Sequence, residues 1–265
     1  MTAIHKAYTD LALGQLHYRA APGTGTPVVY LHQTASSSAM WQKVMERLAG
    51  REPLYALDTP GFGGSFDPPG MPTMADYAGW VNEAIESLGL ERAHVVGHHT
   101  GSCIGVEVAA RWPERVASLS MIGPVPLTQE ERDEFRKTSL DPFEPDPKAD
   151  YLKTTWEYLE GLGANADLAL HHRELVDTAR AYWGRFQAYS AVWDQEFSDA
   201  YRKVRCPLQI LCATDDVLYP FFKRAQEMRP DAVAVELRGA NFEPDLDPDG
   251  TAEALRRFLD GLGER

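Results

Sequence analysis

The sequence predicts an α/β fold: a doubly wound, mostly parallel sheet of about eight strands with a helical cap inserted into it. Three observations predict it. Short apolar runs rich in β-branched residues alternate with segments of helical apolar spacing, the pattern of a sheet covered on both faces. That alternation stops once, over an acidic, proline-rich tract and an aromatic helical stretch, and then resumes. One junction reads Gly97-His98-His99-Thr100-Gly101, where small residues two before and two after the central position let a strand turn sharply into a helix.

The apolar runs fall at residues 28–31, 54–57, 93–96, 117–122, 208–212 and 232–237, and each is short and bounded as buried strands are. Between them, residues 74–88 and 103–111 have helical spacing, and residues 251–262 read as a closing amphipathic helix. The rhythm breaks at Gly123-Pro124-Val125-Pro126. An acidic tract follows that includes Asp141-Pro142-Phe143-Glu144-Pro145-Asp146-Pro147, and then a helical segment from about 151 to 201 carrying Trp156, Tyr158, Tyr182, Trp183, Phe186, Tyr189 and Trp193. Residues 125–201 are therefore expected to form a cap, and residues 1–124 with 202–265 the core. Most of these aromatics should pack the seam between cap and core, with a minority lining a pocket.

Bulk properties narrow the function classes. A chain of 265 residues with 44% hydrophobic and 25% charged residues suits one large globular domain. No apolar run approaches the roughly 20 residues that span a bilayer, and residues 1–16 lack the apolar segment and cleavage site of a secretory signal, so a cytoplasmic location is expected. A formal net charge of −13 disfavours nucleic acid and anionic membranes as partners. Cys103, Cys206 and Cys212 are odd in number and lie in apolar stretches, as reduced core residues do. A small-molecule substrate is the expected partner, and a homodimer is a common state for such enzymes.

The junction continues into Val106-Glu107-Val108-Ala109-Ala110-Arg111-Trp112-Pro113-Glu114-Arg115-Val116-Ala117-Ser118-Leu119, which resembles the helix and following strand of α/β-hydrolase-fold proteins. Other segments resemble that family in the expected order. Val28-Val29-Tyr30-Leu31-His32-Gln33-Thr34 is similar to its oxyanion strand and loop, and Ala56-Leu57-Asp58-Thr59-Pro60-Gly61-Phe62-Gly63-Gly64-Ser65 to the next strand and its glycine loop. Ala213-Thr214-Asp215-Asp216-Val217-Leu218-Tyr219-Pro220 is similar to the strand end that supplies an acid. The resemblance implies a nucleophile elbow at 97–101, and it makes His99 the elbow residue, where the family presents serine, cysteine or aspartate.

Two members of the usual serine–histidine–acid relay are thus replaced. The last histidine in the chain is His172, inside the expected cap, and the late loop Arg238-Gly239-Ala240-Asn241-Phe242-Glu243-Pro244 offers Asn241 where the family has histidine. Asp216 matches the acid, with Asp215 the alternative if the register slips by one. Ser102 belongs to the start of the helix rather than to the chemistry. Gln33 replaces the glycine that usually follows His32, and the N–H groups of Thr34 and Thr100 are expected to form the oxyanion pair. Gln33, Glu243 and Trp193 complete the expected substrate-binding set, while His32 and His98 should brace loops through N–H bonds to backbone carbonyls.

His99 admits three readings. As a general base toward water or substrate, or as an imidazole nucleophile, it needs only Asp216 or Asn241 to fix its tautomer, and the positive end of the following helix favours the neutral ring. The substrate would be an ester, a lactone or a β-dicarbonyl compound. As a metal ligand it would need Asp216, Glu243, His171 or His172 to complete the set, without any local H-x-x-x-H spacing. In the third reading the capped pocket binds or cyclises a small molecule without hydrolysis. No organic cofactor is implied, because Gly61-Phe62-Gly63-Gly64 does not open a helix in the dinucleotide pattern.

Overall fold

The computed structural model describes residues 3–140 and 143–263; Asp141 and Pro142 of the acidic tract, and the first and last two residues of the expected core, lie outside them. Eight strands form one sheet: β1 (His5–Leu11), β2 (Gly14–Ala21), β3 (Val28–Leu31), β4 (Leu54–Leu57), β5 (Ala93–His98), β6 (Val116–Ile122), β7 (Leu208–Ala213) and β8 (Val233–Leu237). Their order across the sheet is β1-β2-β4-β3-β5-β6-β7-β8. From β4 onward every pairing is parallel, and the β1–β2 hairpin joins antiparallel at one edge. The six apolar runs are the six parallel strands, each within a residue or two of its expected bounds at either end. Strands β1 and β2 carry no comparable run, since most β1 side chains face solvent and only Thr9 and Leu11 are buried.

Helices α1 (Gln42–Leu48), α2 (Met74–Ser87) and α3 (Thr100–Arg111) cross over between the parallel strands. Thr73 starts α2 with a capping box: its hydroxyl accepts from the Asp76 N–H while Asp76 accepts from the Thr73 N–H at 2.7 Å. Between β6 and β7 lie α4 (Gln129–Ser139), α5 (Asp150–Gly161), α6 (Leu168–Arg180), α7 (Tyr182–Asp194) and α8 (Phe197–Lys203), the last of them packed on α3. After β7 come α9 (Tyr219–Met228), the short α10 (Glu243–Leu246) and α11 (Pro248–Gly263).

The core has two layers, one on each face of the sheet. On one face Val95, Ile104, Val108, Leu119 and Ile210 pack with α2, α3 and Phe197 and Tyr201 of α8. On the other, Tyr30, Trp41, Val96 and Leu211 pack with α1 and with Leu255 of α11. Both layers stop at the C-terminal ends of the strands, where β3, β5 and β7 deliver loops beneath α4 to α7. Among the described residues no helix is long and apolar enough to cross a membrane.

Candidate active site

The elbow is built as its glycines require. A Cβ on Gly97 would stand 2.3 Å from the Gly101 carbonyl oxygen, and one on Gly101 would stand 2.3 Å from that of Leu31, so any larger residue would push α3 off the sheet. His99 between them takes φ 48° and ψ −105°, a backbone conformation that a side-chain-bearing residue holds only where its surroundings impose it. Its N–H donates to the Ile122 carbonyl, and its own carbonyl accepts from Ser102 and Cys103, which open α3. The imidazole is thereby fixed above the strand ends at the positive end of a helix. Ser102 donates its hydroxyl to the Gly97 and Ile122 carbonyls and is a structural residue, as expected.

Asp216 reaches this ring from the loop after β7. Its Oδ1 accepts the Leu218 N–H at 2.6 Å, which sets the carboxylate's orientation, and its Oδ2 lies 2.7 Å from His99 Nε2. Asp216 is 4% exposed. A carboxylate on Nε2 assigns the ring proton to that nitrogen and leaves the lone pair on Nδ1. Asp215 instead faces outward and accepts from the Ala240 N–H, so the register is the expected one.

The ring borders a cavity of about 270 Å³, at the small end of small-molecule sites. Gln33, Thr34 and Thr100 form its core-side rim, and Tyr189, Trp193 and Arg185 of α7 its roof. The Thr100 hydroxyl donates to that of Thr34 at 2.9 Å, and the Gln33 amide donates to the Asn241 carbonyl at 3.1 Å, tying the loop after β3 to that after β8. Trp193 donates Nε1–H to Ser139 and stacks between Phe135 and Tyr189.

The chain belongs to the alpha/beta hydrolase fold family. The family model matches residues 26–218. Membership makes the protein an enzyme of the hydrolase class. It is similar to a fluoroacetate dehalogenase from Burkholderia sp., with 27% identity covering 89% of this chain and 88% of that protein. It is also similar to a haloalkane dehalogenase from Agrobacterium fabrum, with 32% identity over 45% of this chain and 40% of that one. Among solved structures, E-2-(acetamidomethylene)succinate hydrolase superposes with a TM-score of 0.80 at 24% identity, covering 97% of this chain and all of that one. The enol-lactonase from Burkholderia xenovorans LB400 superposes at 0.79 with 18% identity, over 96% of this chain and all of that one. At those identities the two superpositions speak for the fold alone.

The geometry corrects several expectations drawn from this family's pattern. Asn241 borders the cavity, but Asp216 holds the His99 ring; the Asn241 amide oxygen instead accepts the Val217 N–H, shaping the loop beside the acid. Glu243 is fully buried and does not line the cavity, so it cannot touch substrate there. It pairs with His98, whose Nε2 lies 2.7 Å from Glu243 Oε2, so the His98 brace is a carboxyl group and not a backbone carbonyl. His32 is braced as expected, Nδ1 on the Gln33 carbonyl and Nε2 accepting from the Thr59 N–H, and burial holds its pKa down. His171 stacks on Trp156 and donates to its carbonyl, and His172 is exposed, so neither joins His99 as a metal ligand. Among the described residues the groups close enough to share an ion are His98–His99–Glu243 and Cys212–Asp216–Glu243, in which Nε2 of His98 is already paired with Glu243 and Nε2 of His99 with Asp216.

Sequence reasoning missed Arg185 and Glu174, both buried and both bordering the cavity. The Arg185 guanidinium lies over the rings of Phe143, at 4.3 Å, and Tyr189, at 5.0 Å. Glu174 accepts from Ser36 and is paired with Arg173, which also grips Asp245 with two hydrogen bonds. Only the folding of α6 and α7 over the sheet brings these groups to the site.

Proposed function

We propose that this protein hydrolyses a small carbonyl compound, an ester or lactone, with His99 as the base and Asp216 as its orienting partner. The observation that carries the reading is the 2.7 Å contact from Asp216 to Nε2 of an imidazole held on the strained elbow at the cavity wall. In this reading Nδ1 removes a proton from water as the oxygen adds to the carbonyl carbon. The Thr34 and Thr100 N–H groups take up the charge on the carbonyl oxygen, and the imidazolium then returns the proton to the departing alkoxide. Direct attack by the imidazole also completes a cycle, since an acyl-imidazole is readily hydrolysed.

The same chemistry argues against carrying over the dehalogenase activities of the relatives. Displacement of halide by His99 would leave an N-alkyl imidazolium, which water does not release, whereas a carboxylate at the elbow would form a hydrolysable ester. The aromatic roof of Tyr189 and Trp193 and the 270 Å³ volume support a compact, largely apolar substrate.

The test is turnover by wild type and the H99A and H99Q variants on p-nitrophenyl acetate, p-nitrophenyl butyrate and dihydrocoumarin, with fluoride release from fluoroacetate measured alongside. Ester or lactone turnover should fall by about 10² to 10⁴ in either variant, with thermal unfolding little changed. Undiminished turnover by H99A would overturn the reading. Stoichiometric zinc, manganese or iron in protein purified without chelator would transfer His99 to the ligand role.

A further inference from the structure

Behind the elbow lies a second imidazole–carboxyl pair that the proposed reaction does not use. The His98 ring lies flat against that of His99, 4.3 Å between centroids at 12°, and both His98 and Glu243 are closed to solvent. Glu243 Oε1 accepts the Ala213 N–H at 3.0 Å. Its carboxyl group comes within 4.8 Å of that of Asp216.

The proton positions follow from satisfaction of these buried groups. His98 Nδ1 has no hydrogen-bond partner. A buried lone pair left unpaired is tolerated better than a buried N–H, so the His98 proton belongs on Nε2, where it is donated to Glu243 Oε2. Both Glu243 oxygens then accept, from His98 and from Ala213. Two carboxyl groups this close in a dry interior do not both ionise, so one proton is shared between Glu243 and Asp216. Asp216 is already supported as an anion by the Leu218 N–H and His99, which leaves Glu243 as the acid.

We propose that Glu243, oriented by His98, is a positioning residue that donates its carboxylic proton to Asp216 and so limits how strongly Asp216 stabilises a proton on His99. The relay runs from His98 Nε2–H to Glu243 to Asp216, which also receives Nε2–H of His99, and it carries one negative charge at rest. The proposal rests on His99 being the base. Burial and the charge of Asp216 push the Glu243 pKa well up, and burial with the neighbouring His99 and His32 pushes that of His98 well down, in accord with a neutral pair. The other groups facing the relay are Cys212 from β7, and Glu174, Arg185, Tyr158 and Tyr189 across the cavity.

The test compares E243Q, whose amide NH₂ can still donate to Asp216 once the His98 proton moves from Nε2 to Nδ1, with E243L, which cannot. With p-nitrophenyl acetate as probe, the acid limb of kcat/KM should move up by about one pH unit in E243L, the shift expected from loss of one such hydrogen bond, and by less than about 0.3 in E243Q. The imidazole ¹⁵N titration of His99 should move in parallel. An unmoved limb in folded E243L, or an equal shift in E243Q, would overturn the proposal. Infrared spectroscopy does not require E243L to fold: because Asp177 is also partly protonated at pH 7, the readout is the wild-type minus E243Q difference spectrum, which should show a protonated carboxylic acid band, and the absence of that difference band would also overturn it. The ¹⁵N and infrared readouts need no turnover, so they stand apart from the H99A result that decides whether His99 is the base.

Discussion

Replacing Gly123 by alanine should uncouple His99 from Asp216 without altering either residue. Gly123 closes β6 and its N–H is held by the Leu211 carbonyl, so its backbone has little freedom to retreat. A Cβ there would stand 2.3 Å from His99 Cδ2 and 2.6 Å from Nε2. Carbon atoms settle at about 3.5 Å, so the ring must withdraw by about 1.2 Å, the difference between 3.5 and 2.3. Such a movement takes the 2.7 Å bond to Asp216 beyond the roughly 3.2 Å limit of a hydrogen bond. A displacement of that size costs about 10²-fold in rate. Gly123 also has φ +61°, where alanine is strained by about 1–2 kcal/mol, so Tm should fall by about 2–8 °C at this chain length. Gly79 on α2, with nothing within 4 Å of its Cβ position, is the control; G79A should gain about 1 kcal/mol from helix propensity and keep its activity. The measurements are kcat/KM on p-nitrophenyl acetate and the thermal midpoint of each variant. Wild-type kcat/KM in G123A would refute the claim that the His99–Asp216 contact drives turnover.

Two further outcomes follow from the same geometry. In D216N the amide can still accept the Leu218 N–H, but it presents its NH₂ to His99 and forces the ring proton onto Nδ1. Turnover should therefore fall by about 10² to 10⁴ in a protein that unfolds at nearly the wild-type temperature, and a loss under tenfold would count against the tautomer argument. Asp177 faces the Ser37 hydroxyl at 2.8 Å, and burial together with the charge of Glu174 pushes its pKa up to about 7 from an ordinary 3.8. Because the folded value lies above the unfolded one, the stabilisation from this group is complete below about pH 4 and is lost as pH rises through 7. D177N mimics the protonated acid, so its thermal midpoint should decline less than that of wild type between pH 5 and pH 8. Parallel declines would place the titration elsewhere.

Much of this protein was legible in the chain, for reasons that differ by residue. Five of the six parallel strands, β3 to β7, declared themselves because both their faces are largely buried, which makes them short, continuous apolar runs, and edge strand β8 did so by its apolar composition although only Leu237 in it is buried. The β1–β2 hairpin did not, because an edge strand with most side chains in solvent need not be apolar. The elbow was legible through Gly97 and Gly101, whose missing side chains answer to backbone atoms a few ångströms away, and Asp216 through its place after a strand.

What the sequence could not decide was the partnership of groups far apart along it. Asn241 was expected to meet the His99 ring, yet the fold gives that ring to Asp216 and turns Asn241 toward Val217. Glu243 read as a group at the pocket and lies instead behind it, against His98, 145 residues away. Arg185 and Glu174 entered the site only when α6 and α7 closed over the sheet. The sequence by itself determined the parallel strands and the tight turn at 97–101, because strand burial and tight turns constrain residue type locally. The tertiary structure alone decided which carboxyl group meets which imidazole, because a hydrogen bond of 2.7 Å depends on how separate elements pack and leaves no periodic trace in the chain.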